Sequence, residues 1–250
     1  MKLVTFNIRC DYNQDGNNSF CYRKPYILQK IRSEAPDMIC FQEVLPHVAA
    51  WLKQELPEYM VIGCGRSETL EDEQATIAFR KERFNLMSME TYWLSPTPYV
   101  PASRYADQSI CPRVCTEAVF EDLKTKTVFR VLNTHLDHEG PGARKEGLNQ
   151  ILNKLEANVF YPDAPVIITG DMNAEPDSEE MSEIIQNPEY CNATQGIGVT
   201  FHGYGNPETF CTIDYIFIRG ALQATEVSAW RDVANGVYLS DHYPVCAVIK

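Results

Sequence analysis

Asp171 and Asn173 stand two residues apart beyond Gly170, where the apolar run Val166-Ile167-Ile168-Thr169 ends. Residues two apart in extended chain point the same way. A carboxylate able to act as a base and a neutral amide donor therefore leave the strand end side by side. Clefts built on strand ends are common seats for hydrolytic chemistry. A strand followed by an Asx-type turn explains the same residues equally well, so the rest of the chain must decide.

Other strand-like runs end in the same way. Asn7 closes Leu3-Val4-Thr5-Phe6, and Glu43 follows Met38-Ile39-Cys40-Phe41-Gln42. Asn133, His135 and Asp137 close a third run, and Ser240-Asp241-His242 precede the last. Asp214 lies inside Ile213-Asp214-Tyr215-Ile216, where an isolated charge is costly unless paired. Taken singly, each has a dull explanation: Glu43 as a solvated strand end, and His47, His138 and His202 as surface or helix residues. Six coincident polar strand ends are harder to dismiss.

The elements that must position these residues read as a mixture of strands and helices. A helix is expected from about Lys24, with Pro25 in its first turn and Ile27, Leu28 and Ile31 inward. A second covers about His47 to Leu56. The clearest spans about Ala143 to Val159, on the spacing of Leu148, Ile151, Leu152, Leu155 and Val159. Asp177 with Glu180 resembles a capping box. Strands are expected at 59–63, 75–80, 86–94, 114–120, 127–133, 212–219 and 244–249. Ser95 to Pro112 carries four prolines and reads as a long surface loop, a kind that is often functional. No repeat or linker is visible, so a single mixed α/β domain over 1–250 is expected.

The chain has 250 residues, 34 acidic against 22 basic, a net charge of −12 and a pI near 4.9. That balance argues against a broad electropositive surface for long nucleic acid. No apolar run approaches the ~18 residues of a membrane span. Nine cysteines include no Cys-x-x-Cys pair. They read as free buried thiols in a reducing, cytoplasmic setting, and a zinc site is not expected.

The segments Thr5-Phe6-Asn7-Ile8-Arg9, Phe41-Gln42-Glu43-Val44, Asn133-Thr134-His135-Leu136-Asp137, Gly170-Asp171-Met172-Asn173, Ile213-Asp214-Tyr215-Ile216 and Ser240-Asp241-His242-Tyr243-Pro244 together resemble the endonuclease/exonuclease/phosphatase superfamily, in order and over nearly the whole chain. The departures, Met172 where Phe is usual and Phe41 where Leu is usual, are apolar swaps. The chain looks most like a bacterial branch near the deadenylase-like members. The resemblance implies a four-layer α/β sandwich, two packed mixed β-sheets flanked by helices, as in deoxyribonuclease. It implies a monomeric hydrolase dependent on Mg²⁺ or Mn²⁺, with Glu43 as main metal ligand, Asp241 contributing and Asn7 in or near the shell. Asp171 would activate water and Asn173 would donate to phosphate oxygens. His242, kept protonated by Asp214, and His135 would stabilise developing charge.

Arg113 is either a phosphate contact or a solvated arginine, and Arg9 and Arg144 are candidates of the same kind. The family varies its loops, so the fold does not name the substrate. A small phosphoester is the first expectation. A deadenylase-like 3′–5′ exonuclease on short single-stranded RNA is the alternative, because Tyr99, Tyr105, Phe201 and Tyr204 offer stacking faces. A catalytically inactive phosphate-binding module is the rival from another class. No membrane insertion is expected.

Overall fold

The computed structural model describes residues 1–250. Its first sheet is built from β1 (Lys2–Asn7), β2 (Met38–Val44), β3 (Tyr59–Ile62) and β4 (Gln74–Arg80), joined from the end of the chain by β11 (Ala224–Ala229) and β14 (Val245–Ile249). The strand order is β11-β14-β1-β2-β4-β3. The second sheet takes β5 (Phe84–Trp93), β6 (Val114–Asp122), β7 (Val128–His135), β8 (Val166–Asp171), β9 (Tyr190–Asn192) and β10 (Asp214–Arg219), in the order β5-β6-β7-β8-β10-β9. A small hairpin joins β12 (Val233–Ala234) to β13 (Val237–Tyr238). The helices are α1 (Phe20–Glu34), α2 (Pro46–Glu55), α3 (Pro141–Glu156) and the short α4 (Ser182–Gln186).

The alternation of each strand sorts its side chains between two cores. Val4 and Phe6 of β1 and Ile39 and Phe41 of β2 face Ile27 and Ile31 of α1 and Val48 and Leu52 of α2. Leu132, Ile168 and Phe217 face Leu148, Ile151 and Leu155 of α3 and Ile184 of α4. The opposite positions, among them Leu3, Met38, Ile77, Phe120, Val131, Ile167 and Ile216, meet between the sheets. The result is the expected four-layer sandwich, with two mixed sheets packed face to face and helices on both outer faces. No helix is long and apolar enough to cross a membrane.

Between the sheets the apolar layer gives way to a polar one toward one rim. Gln42 Nε2 donates to Asn133 Oδ1 (2.7 Å) and Thr5 Oγ1 (3.1 Å), and Asn133 Nδ2 donates to the carbonyls of Phe41 (2.7 Å) and Thr76 (3.0 Å). These buried amides bind one sheet to the other directly beneath the strand ends. Their amide nitrogens are paired, as burial demands, while Gln42 Oε1 keeps no partner.

Several expectations need correction. α1 begins at Phe20, so Pro25 sits beyond its first turn. The position is solvent-exposed, where water can serve the Cys21 carbonyl that proline leaves without a donor. α3 ends at Glu156, closed by the Ala157 N–H on Asn153 O (3.0 Å), and Val159 is 92% exposed. Asp177 caps nothing. The turn at Glu179–Met181 starts from Ser178 without a side-chain cap, and Glu180 instead receives Arg144 Nη2 at 2.6 Å. The cysteines are all free, but Cys21 and Cys191 are exposed. The 95–112 loop is only partly superficial: Ser95 and Ser109 are buried, and Tyr105 packs against the α3 core with its hydroxyl on Gln150 Oε1 (2.9 Å).

Candidate active site

Strand register brings the candidate residues together. β1 runs parallel to β2 with Asn7 opposite Gln42, and β7 runs parallel to β8 with His135 opposite Asp171. β10 runs antiparallel to β8, placing Asp214 opposite Asp171. Leu3, Thr5 and Asn7 share the inner face of one sheet, and Ile167, Thr169 and Asp171 that of the other. Both rows therefore end at the same rim, where Asn7 Nδ2 donates across the gap to Asp171 Oδ2 at 3.0 Å.

Two local backbone devices complete the placement. Strict alternation would turn Glu43 toward α2, because Phe41 already faces that layer. A bulge between Phe41 and Val44, with Glu43 at φ 62°, turns it to the rim instead. There Glu43 accepts from Asn7 Nδ2 (2.9 Å) and Cys10 N (2.8 Å). Gly170 has φ 149°, and a Cβ on it would lie 2.0 Å from the Thr134 carbonyl oxygen. Glycine is required where β8 meets β7 this closely.

Asp171 is buried. Its Oδ1 accepts from the Asn173 backbone N–H (2.9 Å), and His242 Nε2 lies 3.6 Å from Oδ2. Burial pushes the Asp171 carboxyl up; the His242 charge opposes this and Asp214 adds to it, leaving it at about 7. A base poised near neutrality suits proton abstraction from water. His242 Nδ1 is 2.8 Å from Asp214 Oδ2. Burial alone would lower the imidazole, but the Asp214 and Asp171 carboxylates raise it to about 10, so it stays cationic at neutral pH. His135 is the opposite case. Burial and then the Arg113 charge hold it well below the usual imidazole range, so it is neutral.

Asn173 Nδ2 faces His135 Nε2 (2.9 Å) and the Leu136 carbonyl (3.0 Å), so both amide hydrogens are engaged within the chain. Asn7 Oδ1 accepts the Arg9 N–H (3.0 Å), and its amide nitrogen faces the carboxylates. This orientation makes Asn7 a link between Glu43 and Asp171 rather than an oxygen ligand. Two groups offer ligand atoms within 4.8 Å of one another: Cys10 with Glu43 and Glu73, and Asp171 with Asp214 and His242. In the second, the imidazolium already supplies the positive charge. Glu43 and nearby Asp241, hard oxygen donors, fit Mg²⁺ or Mn²⁺ chemistry.

Glu43, His135, Asp171, Asn173, Asp241 and His242 line a cleft of about 270 Å³, and Asn7 and Asp214 support it from behind. Arg9 lies in it, tied to Asp15 (3.3 Å) and Asp241 (3.5 Å). Arg113 also lies in it and is no solvated arginine. It is buried, with Nε 3.4 Å from Asp137 Oδ1 and Nη2 donating to His138 Nδ1 at 2.8 Å. Arg144 does not line the cleft; its guanidinium is held by Glu180 and the Asp137 carbonyl. His138 is exposed, as expected of a surface residue, and also forms part of the cleft wall. His202 is fully buried, its ring stacked on Tyr243 at 3.9 Å, and its backbone N–H donates to the Asp241 carbonyl (2.9 Å). Phe201 lines the cleft with its ring 4.8 Å from that of His242. Tyr99 instead is exposed beside Glu90, and Tyr204 donates to Asp15 (3.0 Å). Arg66 and Glu73, on the loop between β3 and β4, also line the cleft. Sequence reasoning passed over them because a polar loop has no periodicity to mark an inward-facing residue.

The same architecture recurs in known proteins. An endonuclease/exonuclease/phosphatase from Bacteroides vulgatus superposes with a TM-score of 0.92 at 31% identity, covering 100% of this chain and 98% of that one. A mannosyl-6-phosphatase of Bacteroides thetaiotaomicron VPI-5482 gives 0.90 at 26% identity, covering 100% and 99%. D. rerio TDP2, in a complex with single-strand DNA product, gives 0.78 at 18% identity over 100% and 98%, a likeness of fold alone. A family model described as the Endonuclease/Exonuclease/phosphatase family matches residues 4–242. Family members are hydrolases of phosphoester bonds and are generally metal-dependent. With the sandwich, the strand-end residues and that match in agreement, the chain belongs to the endonuclease/exonuclease/phosphatase family.

Proposed function

We propose that this chain is a Mg²⁺- or Mn²⁺-dependent phosphoester hydrolase acting on a small phosphorylated substrate, a sugar phosphate being the best-supported class. The observation that carries the reading is the pairing of Asp171, lifted to about 7, with cationic His242 beside it in a cleft of about 270 Å³. The likeness to a mannosyl-6-phosphatase supports the substrate class.

Glu43 and Asp241 would hold the metal with Asn7 beside them, and the ion would neutralise phosphate charge that otherwise repels a nucleophile. Asp171 takes the proton of a water aligned by its carboxylate. Asn7, donating to both Glu43 and Asp171, fixes the distance between base and ligand. His242 presents its Nε2–H to the developing negative charge, and Asp214 positions it and preserves its proton. Neutral His135 and Asn173 form the facing wall, and Asn173 can donate to a phosphate oxygen by exchanging one of its present partners. Arg9 and Arg113 bring positive charge to the cleft rim.

Turnover of a phosphoester panel with Mn²⁺, with and without chelator, tests the reading and separates it from an inactive binding module. Asp171→Asn should lose several orders of magnitude in kcat while remaining folded. Glu43→Gln should be partly rescued by excess Mn²⁺. Metal rescue of the Asp171 variant and not of the Glu43 variant would show the roles reversed. One observation favours a second reading, an exonuclease at a single-stranded 3′ end: the Phe201 ring beside His242 offers a stacking face. Preference for oligoadenylate over sugar phosphates in the same panel would select it.

A further inference from the structure

We propose that Arg23, which lies outside the cleft, is a positioning residue for the metal site. It clamps the segment that carries Asp241 to the loop that supports Glu43, and so sets the spacing of the two carboxylates before an ion binds. This rests on the metal-dependent hydrolase reading and adds to it a residue that touches neither substrate nor ion.

Arg23 stands in the first turn of α1, where the helix dipole opposes a cation. Helix stability therefore does not account for it, and neither does solvation, because the residue is 0% exposed. Side chains on a helix lean toward its N-terminus, which carries this guanidinium back past Ser19. There Nε donates to Asn18 O (2.6 Å), Nη1 to Ile8 O (2.6 Å) and Leu239 O (2.9 Å), and Nη2 to Arg9 O (3.1 Å). Three separate stretches of chain thus meet on one planar group whose fixed fork allows no other arrangement of them. The Phe20 ring lies under it, 5.7 Å from Cζ.

Two of those stretches lead to the carboxylates. Leu239 is two residues from Asp241. Ile8 and Arg9 lie between Asn7, whose Nδ2 donates to Glu43 Oε1 (2.9 Å), and Cys10, whose backbone N–H donates to Glu43 Oε2 (2.8 Å). Strand pairing does not fix the gap between them. The ladder of β1 with β14 closes at Thr5 opposite Val245, short of both Asn7 and Asp241. Past that point the gap is spanned by Ser240 Oγ, which donates to Asn7 O (2.7 Å), and by Arg23, which holds Ile8 and Leu239 on the same Nη1. His242 is anchored from the other sheet, by the bridge to Phe201 and by Asp214 at 2.8 Å. Loosening Arg23 should therefore let Asp241 drift from Glu43 while Asp171 and His242 stay together. The competing account is a buried staple that contributes to stability alone.

The test is Mn²⁺ binding by titration calorimetry, without substrate, to the wild type and to Arg23→Lys. Lysine keeps the charge but offers one compact ammonium where the guanidinium joined three stretches. Affinity should fall by roughly 10- to 100-fold, the range for losing a residue that orients a metal ligand, while kcat at saturating Mn²⁺ stays close to wild type. Unchanged affinity in a folded variant with a lowered urea midpoint would show a staple for stability alone and overturn the clamp. A kcat that saturating Mn²⁺ fails to restore would overturn it too, because the base would then have moved with the ligands. Amide exchange in the wild type needs no variant, so misfolding cannot obscure it. The Cys10 N–H on Glu43 and the His202 N–H on the Asp241 carbonyl should be as protected without Mn²⁺ as with it. Protection that appears only with Mn²⁺ would mean that the ion orders the site and that Arg23 does not. No Mn²⁺ binding by the wild type would end the metal reading, and the clamp with it.

Discussion

His242 lies between two carboxylates, and its charge is set by that placement rather than by its own chemistry. Asp214 is the stronger of the two raising influences and makes the shorter contact, 2.8 Å against 3.6 Å for Asp171. The folded-state pKa is raised above the unfolded value. The stability this contributes is therefore fully present below about 6.5 and is lost as pH rises through about 10. The same shift keeps the proton in place for chemistry. Asp214→Asn retains the shape and a hydrogen-bonding atom but removes the charge. We expect the alkaline limb of the kcat/KM profile to move from near 10 toward neutral pH, so that the variant loses more activity at pH 9 than at pH 6. An alkaline limb identical in variant and wild type would mean that His242 is not the group titrating there. Asp171, Glu43, Asp241 and His242 were each legible in the sequence because a charged or amide residue at the end of an apolar run is a departure from pattern. His202 has the same residue type without that context, and it is a buried packing residue under the Asp241 carbonyl.

At the scale of elements, β7 and β8 approach so closely that Gly170 has no room for a side chain, and its φ lies where L residues are strained. The colliding atom is a backbone carbonyl in a parallel ladder, so it cannot swing aside. Gly170→Ala should cost at least about 2 kcal/mol, at the upper part of the range for overpacking. It should lower kcat as well, because Asp171 is the next residue. Urea unfolding midpoints and kcat measured together check this, and a variant with wild-type midpoint and kcat would refute it. The β1, β2 and β8 strands were readable because burial on both faces leaves continuous apolar runs. Glu43 was legible as a polar strand end, and it does reach the rim, yet the bulge that aims it leaves no mark in the residue pattern. β11, β12 and β13 went unread because they carry few buried residues: β11 exists by pairing with β14, and β12 and β13 are two-residue strands of one hairpin, too short for a period to show. Arg23 also escaped notice. In a helix it reads as surface, but it is fully buried and donates to the carbonyls of Ile8 (2.6 Å), Arg9 (3.1 Å), Asn18 (2.6 Å) and Leu239 (2.9 Å). A long side chain with several fixed donors can close two loops behind the cleft, and nothing local in sequence announces it.

For the whole molecule, the net charge of −12 and the local pairing of its cations point the same way. The three arginines of the cleft all have acidic partners: Arg9 with Asp15 and Asp241, Arg66 with Asp72 and Glu73, and Arg113 with Asp137. Composition gave the overall balance but not this pairing, which depends on loops whose conformation is fixed by tertiary contacts. A nuclease that tracks duplex DNA needs a row of unpaired cations, and making about 6–10 phosphate contacts costs it roughly 10³–10⁵ in affinity between 50 and 200 mM salt. No such row flanks this cleft. We therefore expect duplex DNA to be cleaved far more slowly than a small phosphoester at fixed salt, with the rate changing little across that salt range. The hydrolysis of the small substrate should be nearly independent of salt as well, because its phosphate contacts lie inside a cleft where buried charges are screened weakly. Rapid cleavage of duplex DNA that collapses as salt rises would reveal a basic track that the arginine pairings conceal, and would move the substrate from small phosphoesters to polynucleotides.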